Sequence, residues 1–576
     1  MNRRRFLSLS LCGAYLNASD WRPWAISAEL AAGLRLAPGQ ARALPPGGLL
    51  GIDGLLVNES HPWVNLIGLQ TAFQNSGLSL LRYPGRNVAD AWDWENGWLD
   101  PNAKLIPYLT PTQEQLQKIR SIKYPLSDLQ ALDCRVIFTP SLAYHNLRLC
   151  DDPSAAPLAA AEPALEHTRN ALVDANQRNI PIDWIELGDG LSDTPFWQGS
   201  LGQKLLGGST AEPYSAYPAI AACWSEALHG VRPSARIAFH GASFLTPPVD
   251  PLLAQWNRHA WQTLAPNSAV EAMAVQLFLP ASLGVPLVGS GALYGTPEEQ
   301  IAQFRALHDP QILAGLFVSA AGLLDRYLAS GGGAGMSDTR FQLIISAFNL
   351  ADPIGVLRHT WAHGLAIAAL LNSFLREPRV VLAVLHNLTD PPHAAFLQTS
   401  GQFNSLQLPE TDLDPARLQA SLEPFTLGPA GRVASLFSSL MTGMEAAIPF
   451  GAEDSANPLV WGWLFTNGSG SRANLLLANL TGEPVWVNWP TFFQALPFHP
   501  DDSSLTTWQA QPTQFITGAN RSAYPEFSLT ISQHSIAPDG LMALPPYSLT
   551  TVWQLTAQRS GKFFLHLPTI QSWRSP

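Results

Sequence analysis

The stretch Phe341-Gln-Leu-Ile-Ile-Ser-Ala-Phe-Asn-Leu350 is a short apolar run rich in β-branched residues, and a long helical pattern follows it from Pro353. An apolar run of this length is typical of a strand that is buried on both faces, as in a parallel sheet. Parallel strands need crossover connections, which are usually helices. The stretch therefore predicts a fold of alternating strands and helices.

Seven similar runs complete a set of eight candidate strands, at 50–57, 78–83, 135–140, 182–187, 236–240, 272–278 and 380–387. Segments with helical spacing or composition lie between them, at 112–124, 164–179, 217–231, 297–330 and 356–376. Eight strand and helix units over roughly 340 residues predict a (β/α)8 TIM barrel, an α/β fold whose functional side chains lie at the C-terminal ends of the strands.

Beyond residue 397 the pattern changes to short β-rich runs separated by turns, at 459–466, 473–479, 484–489, 527–531 and 547–555. This pattern predicts that an antiparallel β-sandwich domain follows the barrel. We expect three segments: an export signal at 1–28, the barrel at 29–396 and the β-sandwich at 397–576.

The composition limits the classes of partner. The 576 residues carry a net charge of −11 with no basic run beyond the N-terminus, which argues against nucleic acid and against an anionic membrane surface. No internal stretch reaches the roughly 18 apolar residues of a membrane helix, so we expect no integral membrane protein. The oligomeric state is not indicated.

The N-terminus has the pattern of a targeting segment. Asn2-Arg-Arg-Arg-Phe-Leu7 precedes a short apolar region, and its arginines fit a twin-arginine export signal, although Asn2 stands where Ser or Thr is usual. Cys12 only weakly resembles a lipidation site. We expect an exported protein, periplasmic or extracellular.

Neither a metal nor a cofactor is indicated. The four cysteines, Cys12, Cys134, Cys150 and Cys223, have the spacing of neither a metal site nor a disulfide framework. His359 and His363 lie at i and i+4, but the glutamate of a His-Glu-x-x-His site is absent and no third ligand is evident, so structural histidines are expected.

Chemistry-bearing residues follow the second and fourth predicted strands. Leu81-Arg-Tyr-Pro-Gly85 closes the second strand, and Trp92-Asp-Trp-Glu-Asn-Gly97 follows in the same loop. The fourth strand, Pro181-Ile-Asp-Trp-Ile-Glu-Leu-Gly188, continues into Asp189-Gly190.

These residues resemble a clan of (β/α)8 glycoside hydrolases that includes the family 51 α-L-arabinofuranosidases and the heparanase-like β-glucuronidases. Members carry Arg-Tyr-Pro-Gly-Gly after strand two, Glu-Ile-Gly-Asn-Glu after strand four, His-Tyr-Tyr after strand six and Glu-Phe-Asn or Glu-Trp-Asn at strand seven. The resemblance covers most of the barrel, and Leu544-Pro-Pro-Tyr-Ser-Leu-Thr550 fits the end of the family's sandwich. It implies an oligo- or polysaccharide partner.

By this resemblance, Arg82 corresponds to the arginine close to the nucleophile, and Asp189 to the asparagine that contacts the sugar. Gln276 stands in place of the histidine. Gly190 occupies the acid/base position and Ala347 the nucleophile position, so both catalytic glutamates are substituted. A retaining glycosidase needs two carboxyls about 5–5.5 Å apart, and neither Gly nor Ala supplies one.

Other carboxylates are weak substitutes. Asp193, Glu186 and Asp352 flank the two substituted positions. Each has a structural alternative: Asp193 as a helix cap, Glu186 as a paired carboxylate, and Asp352 as a turn residue before Pro353.

Three hypotheses remain open. The first is a glycosidase-like pseudoenzyme that binds glycan in a cleft lined by Arg82, Trp92, Trp94, Asp189, Gln276, Asn349 and Trp361. The second is an active O-glycosyl hydrolase with relocated carboxylates. The third is a structural envelope protein whose cleft has filled in, and the fold alone does not choose among them.

Overall fold

The structure is a computed structural model that describes residues 36–54, 70, 73–74, 76–85, 89, 92–99, 125–140, 157–189, 216–242, 251–286, 296–329, 342–386, 427–452, 458–488, 498–499, 504–514, 529–535 and 541–557. The predicted export signal, the predicted helix at 112–124, Gly190 and Asp193 lie outside these residues. Among the helices in these ranges, none has the length and apolarity to cross a bilayer.

Eight parallel strands form a closed barrel, in which each strand pairs with the next and the last with the first. The strands are β1 (Leu50–Asp53), β2 (Leu80–Tyr83), β3 (Arg135–Phe138), β4 (Ile182–Leu187), β5 (Arg236–His240), β6 (Val270–Pro280), β7 (Gln342–Ala351) and β8 (Val380–Leu385). The predicted TIM barrel is confirmed, with all eight strands at the predicted places.

Helices cover the outside of the barrel. They are α1 (Pro157–Gln177), α2 (Ala216–Val231), α3 (Pro251–Leu264), α4 (Pro297–Ala306), α5 (Pro310–Ala321), α6 (Leu323–Tyr327), α7 (Trp361–Arg376) and α8 (Pro429–Met441), with 3₁₀ turns at Leu126–Leu132 and Leu357–His359. The single helical segment predicted at 297–330 is divided. Asp309 starts α5 by accepting hydrogen bonds from two backbone N–H groups, and Pro310 cannot continue α4.

The inside of the barrel contains an apolar layer, which we define as Leu80, Ile137, Trp184, Ala238, Ala272, Ala274, Ile344, Leu382 and Val384. Strand residues alternate between the two faces of a sheet, so positions two residues further along also point inward. These positions form a polar layer at the C-terminal ends of the strands, comprising Asp53, Arg82, Thr139, Glu186, His240, Gln276, Ser346 and His386. The interior of the barrel thus changes from apolar to polar over two residues along the strands.

The C-terminal part of the chain forms the predicted sandwich-like domain. A nine-stranded sheet contains Leu36–Pro38, Arg42–Ala43, Ala446–Ala452, Val460–Thr466, Arg472–Asn479, Phe498–His499, Ser504–Gln509, Thr530–Ser535 and Ser548–Ala557. A two-stranded sheet, Val485–Asn488 with Leu541–Leu544, packs over it through Val487 and Leu544. The segment 36–43 pairs antiparallel with residues 446–452, so the C-terminal sheet also uses the start of the described chain.

The opposite face of the large sheet packs on the barrel. The Trp463 indole donates to the Asn372 side chain of α7 at 2.9 Å. Trp361, the first residue of α7, donates its indole N–H to the Tyr547 carbonyl at 2.8 Å and its backbone N–H to the Gln514 carbonyl. Carbonyls of the C-terminal domain therefore accept hydrogen bonds from free backbone N–H groups in the first turn of α7. The N-cap residue of this helix supplies no side-chain hydrogen bond.

Candidate functional site

Arg82 is the centre of the polar layer. Its Nε lies 2.6 Å from Glu186 Oε2, its Nη2 lies 3.0 Å from Asp189 Oδ1, and its Nη1 lies 3.6 Å from Asp53 Oδ1. All four side chains are at most 1% exposed. One guanidinium thus pairs with three carboxylates: Asp53 at the end of β1, Glu186 within β4 and Asp189 just after β4.

Local sequence explains this geometry. Leu81 and Tyr83 point outward into the core beneath the helices, so Arg82 between them points into the barrel. Gly188 has a φ of 100°, a left-handed conformation that glycine adopts without a steric penalty. The turn at Gly188 brings Asp189 to the same guanidinium as Glu186, three residues earlier.

Burial and mutual repulsion set the charges in this cluster. Burial raises the pKa of Glu186, and the negative charge of Asp189 raises it further, whereas Arg82 lowers it. Burial by itself lowers the pKa of Arg82, but the three carboxylates together raise that pKa well above its usual value. Arg82 is therefore a permanent cation, and burial favours the protonated form of Glu186.

Two histidines complete the titratable part of the layer. His386 Nδ1 lies 2.7 Å from Asp53 Oδ2, and both side chains are fully buried. Burial lowers the pKa of His240 to about 4, with Arg82 lowering it further and Asp189 opposing the shift. His240 is thus a neutral imidazole at physiological pH.

Gln276 links β6 to this cluster, because its side-chain amide donates to Asp189 Oδ1. Gln276 is 7% exposed, more than the other charged and amide side chains of the layer. The second carboxylate oxygen, Asp189 Oδ2, is buried and has no hydrogen-bond partner within the described part of the chain. Asp189 therefore keeps one acceptor available beside the most accessible member of the layer.

Ala347 lies directly beside this pair. A β-bulge shifts the register between β6 and β7, so Gln276 pairs with Ala347. Ala347 is fully buried, and its methyl group offers no functional atom. The position that the family resemblance assigns to the nucleophile is thus adjacent to the polar layer but chemically inert.

Asn349 has a different environment from the one predicted. Its amide donates to the His386 carbonyl, and its Oδ1 accepts from the Leu350 N–H at 2.7 Å and lies 2.7 Å from His363 Nε2. His363 Nδ1 in turn lies 3.0 Å from the Arg358 carbonyl. The bonding capacity of Asn349 is used to join β7, β8 and α7, and the expected structural role of His363 fits this arrangement.

The three predicted tryptophans lie away from the polar layer. The Trp92 indole is 4% exposed, donates to the Tyr83 hydroxyl at 2.7 Å and packs edge-on against that ring, on the outer side of the barrel. Trp94 packs against the His167 ring of α1 at 5.3 Å. Trp361 lies between the barrel and the C-terminal sheet, as described above.

Asp352, one of the possible substitute carboxylates, anchors the loop after β7. Its Oδ1 accepts from the Gln303 side chain at 2.8 Å and from the Gly355 N–H at 3.0 Å, and its Oδ2 accepts from the Arg358 N–H at 3.1 Å. These bonds fit the turn role that the sequence offered as its alternative.

Asp53, His240 and His386 did not emerge from the sequence reasoning. Each ends or directly follows an observed strand, but only His240 ends a predicted one, at 236–240. The rule that functional groups lie at strand ends would therefore have found His240, whereas the predicted strands at 50–57 and 380–387 extended past Asp53 and His386. The charged partners of Arg82 became visible only when the strands were placed side by side. No group of side chains in the described ranges could hold a metal ion.

Comparison with protein-family models and with curated protein sequences finds no match. Solved structures do match. A family 51 α-L-arabinofuranosidase from Bifidobacterium longum has a TM-score of 0.53 at 12% identity, covering 90% of this chain and 97% of that chain. The corresponding enzyme from Thermotoga petrophila has a TM-score of 0.51 at 11% identity, covering 90% and 99%.

A 4-O-α-L-rhamnosyl-β-D-glucuronidase from Fusarium oxysporum also matches, with a TM-score of 0.50 at 13% identity, covering 90% of this chain and 99% of that chain. At such low identity these likenesses concern the fold. The chain has a barrel followed by a sandwich-like domain, arranged as in glycoside hydrolases along nearly its whole length.

Proposed function

We propose that this protein is glycoside-hydrolase-like, binds an oligo- or polysaccharide at the C-terminal mouth of its barrel, and lacks the retaining two-glutamate mechanism. The observation that carries the proposal is the pairing of Ala347 with Gln276 beside the polar layer. A methyl group at this end of β7 cannot attack an anomeric carbon. Gly190, at the other substituted position, lies outside the described residues.

Three carboxylates of the layer pair with the same guanidinium. Glu186, Asp189 and Asp53 surround Arg82, which is the arrangement of a buried ion-pair network. Such a network holds its members in place, because removing Arg82 would leave the three carboxylates buried without their shared cation. Binding through these groups therefore fits the geometry better than nucleophilic attack by one of them.

The groups suited to a sugar lie around Gln276, the most exposed of the charged and amide side chains of the layer. Asp189 Oδ2 is a buried acceptor without a partner among the residues described, and sugar hydroxyls are donors. On this ground we assign Arg82, Asp189 and Gln276 to the proposed binding site. Trp92, Trp94, Asn349 and Trp361 are assigned to the supporting structure.

The second candidate function is an active O-glycosyl hydrolase with relocated carboxylates. Burial raises the pKa of Glu186, and a general acid in a glycosidase requires such a shift. The structural envelope role is the third candidate, and the near-complete burial of the polar layer favours it.

We further propose export through the twin-arginine-type segment, which detection of the protein outside the cytoplasm would test.

The mature protein should first be screened against aryl arabinofuranosides, glucuronides and xylosides and against plant and envelope polysaccharides. Product release and glycan binding are measured for each compound in the same screen. We expect binding without turnover. Turnover that disappears in Glu186→Gln would instead establish the relocated mechanism, and neither binding nor turnover would favour the structural role.

A gain-of-function pair sharpens this screen. Gly190→Glu with Ala347→Glu restores a carboxyl at both matching positions, and Gly190→Gln with Ala347→Gln is matched in size without a carboxyl. Hydrolysis by the first pair alone is the expected result. Equal inactivity of two folded pairs, with glycan binding intact, would contradict the alignment of these positions with the catalytic ones.

A further inference from the structure

His363 is a buried histidine in the first turn of α7, the helix that lies between the barrel and the C-terminal sheet. Its ring is bonded on both sides. Nδ1 lies 3.0 Å from the Arg358 carbonyl oxygen, and Nε2 lies 2.7 Å from Asn349 Oδ1 near the end of β7. The ring therefore links α7 to the C-terminal end of a barrel strand, and both atoms that it meets are oxygens.

The orientation of the Asn349 amide decides which of its atoms faces His363. The Leu350 N–H donates to the amide oxygen at 2.7 Å, and the His386 carbonyl accepts from the amide nitrogen. A reversed amide would place its NH₂ group against that N–H and its oxygen against that carbonyl, so both hydrogen bonds would be lost. Two separate backbone groups thus fix the amide oxygen towards His363 Nε2.

Two acceptors require two protons on the ring. A carbonyl oxygen and an amide oxygen have no hydrogen to donate, so each ring nitrogen must donate, and only the imidazolium form carries a proton on both nitrogens. A neutral ring that donates to the Arg358 carbonyl would set the lone pair of Nε2 against the Asn349 oxygen at 2.7 Å. The observed pair of contacts therefore belongs to the protonated ring.

The surroundings of the ring oppose this proton. Burial lowers the pKa of His363 below the usual 6.5, and the positive charge of Arg358 also lowers it. The hydrogen bond to the Arg358 carbonyl and the negative charge of Asp352, in the loop after β7, raise it. The ring therefore holds the second proton that its contacts need only weakly, and it loses that proton as the pH rises.

We propose that His363 is a pH-sensitive joint between α7 and the barrel: the imidazolium ties Asn349 to α7 at acidic pH, and the neutral ring releases Asn349 while it keeps its bond to Arg358. The joint is connected to the polar layer. The Asn349 amide donates to the His386 carbonyl, and His386 Nδ1 lies 2.7 Å from Asp53 Oδ2. The inference concerns the contact between the domains and does not depend on glycan binding.

Nitrogen NMR of the full-length protein with isotope-labelled histidine reports the protonation of each ring nitrogen and tests the proposal. The matched reference is His308. Its Nδ1 lies 3.0 Å from the Phe304 carbonyl oxygen, the same distance as in the contact of His363 with Arg358, but its ring is exposed. The two sets of signals are assigned by their loss in His363→Gln and in His308→Gln.

As the pH is raised from acidic to neutral, His363 should lose the proton of Nε2 and keep the proton of Nδ1. The side-chain amide signal of labelled Asn349 should shift with the same midpoint, because its oxygen loses a donor at that point. A His363 ring that stays neutral at every pH at which the protein is folded would overturn the proposal. An Asn349 signal that does not follow the ring would overturn the release of Asn349.

Asn349→Asp provides a second, directional test with little change in size. A carboxylate holds the proton of Nε2 more strongly than an amide oxygen does, so the midpoint of the His363 titration should move to higher pH. The titration of His308 should stay unchanged. An unchanged His363 midpoint in the folded variant would contradict the contact between the two side chains, and if the variant does not fold, the wild-type titration alone decides.

Discussion

The apolar and polar layers of the barrel differ in chemistry although only two residues separate them on each strand. Trp184 lies below Glu186, Ala238 below His240 and Ile137 below Thr139. The apolar layer fills the barrel with close-packed side chains, as TIM barrels require. Its Trp184 is additionally covered by the Arg236 guanidinium, 4.0 Å from the indole centroid.

The polar layer contributes differently to the free energy of folding. Burying ions costs several kcal/mol for each, and attraction within the network repays this only in part. An apolar second layer would close the barrel at least as well. Under the proposed function the polar layer serves glycan recognition rather than stability, and the following changes test how far the two layers differ.

The largest effect is expected for Arg82→Met. The change leaves Asp53, Glu186 and Asp189 buried without their shared cation, which should lower the free energy of unfolding by about 5 kcal/mol. The loss should be greatest at neutral pH and shrink as the pH falls, because the carboxyls then take up protons. Urea unfolding at several pH values measures this, with Arg82→Lys as the milder variant should the first not fold.

A loss that does not depend on pH would mean that Arg82 acts through packing alone. Arg82 of the polar layer would then contribute to stability in the same way as a side chain of the apolar layer. The energetic distinction between the two layers would no longer hold.

Trp184→Ala should have the next largest effect, about 3–5 kcal/mol, because it opens a cavity in the apolar layer and removes the surface on which Arg236 stacks. Trp184→Phe, which keeps an aromatic ring, should cost less. Both losses should be the same at every pH between neutral and mildly acidic, in contrast to Arg82→Met. A strong pH dependence would show that the packing of the apolar layer alters the protonation of the charged groups above it.

Much of the fold could be predicted from the sequence because its signals are local. Each barrel strand is an apolar run whose boundaries lie at turn residues, and β4 and β5 begin and end where the runs at 182–187 and 236–240 do. Short strands such as Arg42–Ala43 carry no such signal. Their pairing with residues 446–452 depends on contacts across the whole chain.

The site was less accessible to sequence reasoning. Arg82 and Asp189 were found because they lie in motifs, but the partners of an ion pair are chosen in three dimensions. Trp92 illustrates the limit. Its position in a loop after β2 suggested a sugar-stacking surface, whereas side-chain direction places its indole against Tyr83 on the outer side of the barrel.

His240→Gln tests the histidine of the polar layer. In the wild type, burial lowers the pKa of His240 to about 4, below the unfolded value of about 6.5, so the unfolded state binds the proton more readily. Stability from the neutral imidazole is present above about pH 6.5 and is lost as the pH falls towards 4, by up to about 3 kcal/mol. The His240→Gln variant should not show this loss of stability in urea unfolding between pH 6.5 and about 4.

The quantity to compare is the difference in unfolding free energy between wild type and His240→Gln at each pH. Glu186 contributes to the pH dependence of both proteins with the opposite sign, because burial raises its pKa and the folded state therefore gains protons as the pH falls. Identical pH profiles for wild type and His240→Gln would mean that His240 is solvated and that the layer is open at β5.

The smallest effect is expected for Thr139→Val, which converts one position of the polar layer to the chemistry of the apolar layer with little change in shape. The Thr139 hydroxyl donates to Glu186 Oε2 over 3.4 Å, so its loss should cost no more than about 1 kcal/mol. Ile137→Val, two residues earlier on β3, is the matched control at about the same magnitude. The two variants differ in their response to pH: a donor stabilises ionised Glu186, so the cost of Thr139→Val should vanish as the pH falls through the pKa of that carboxyl. The cost of Ile137→Val should stay constant. Equal, constant costs would mean that Glu186 is protonated over the whole pH range, so that the Thr139 hydroxyl would have no ionised carboxyl to stabilise.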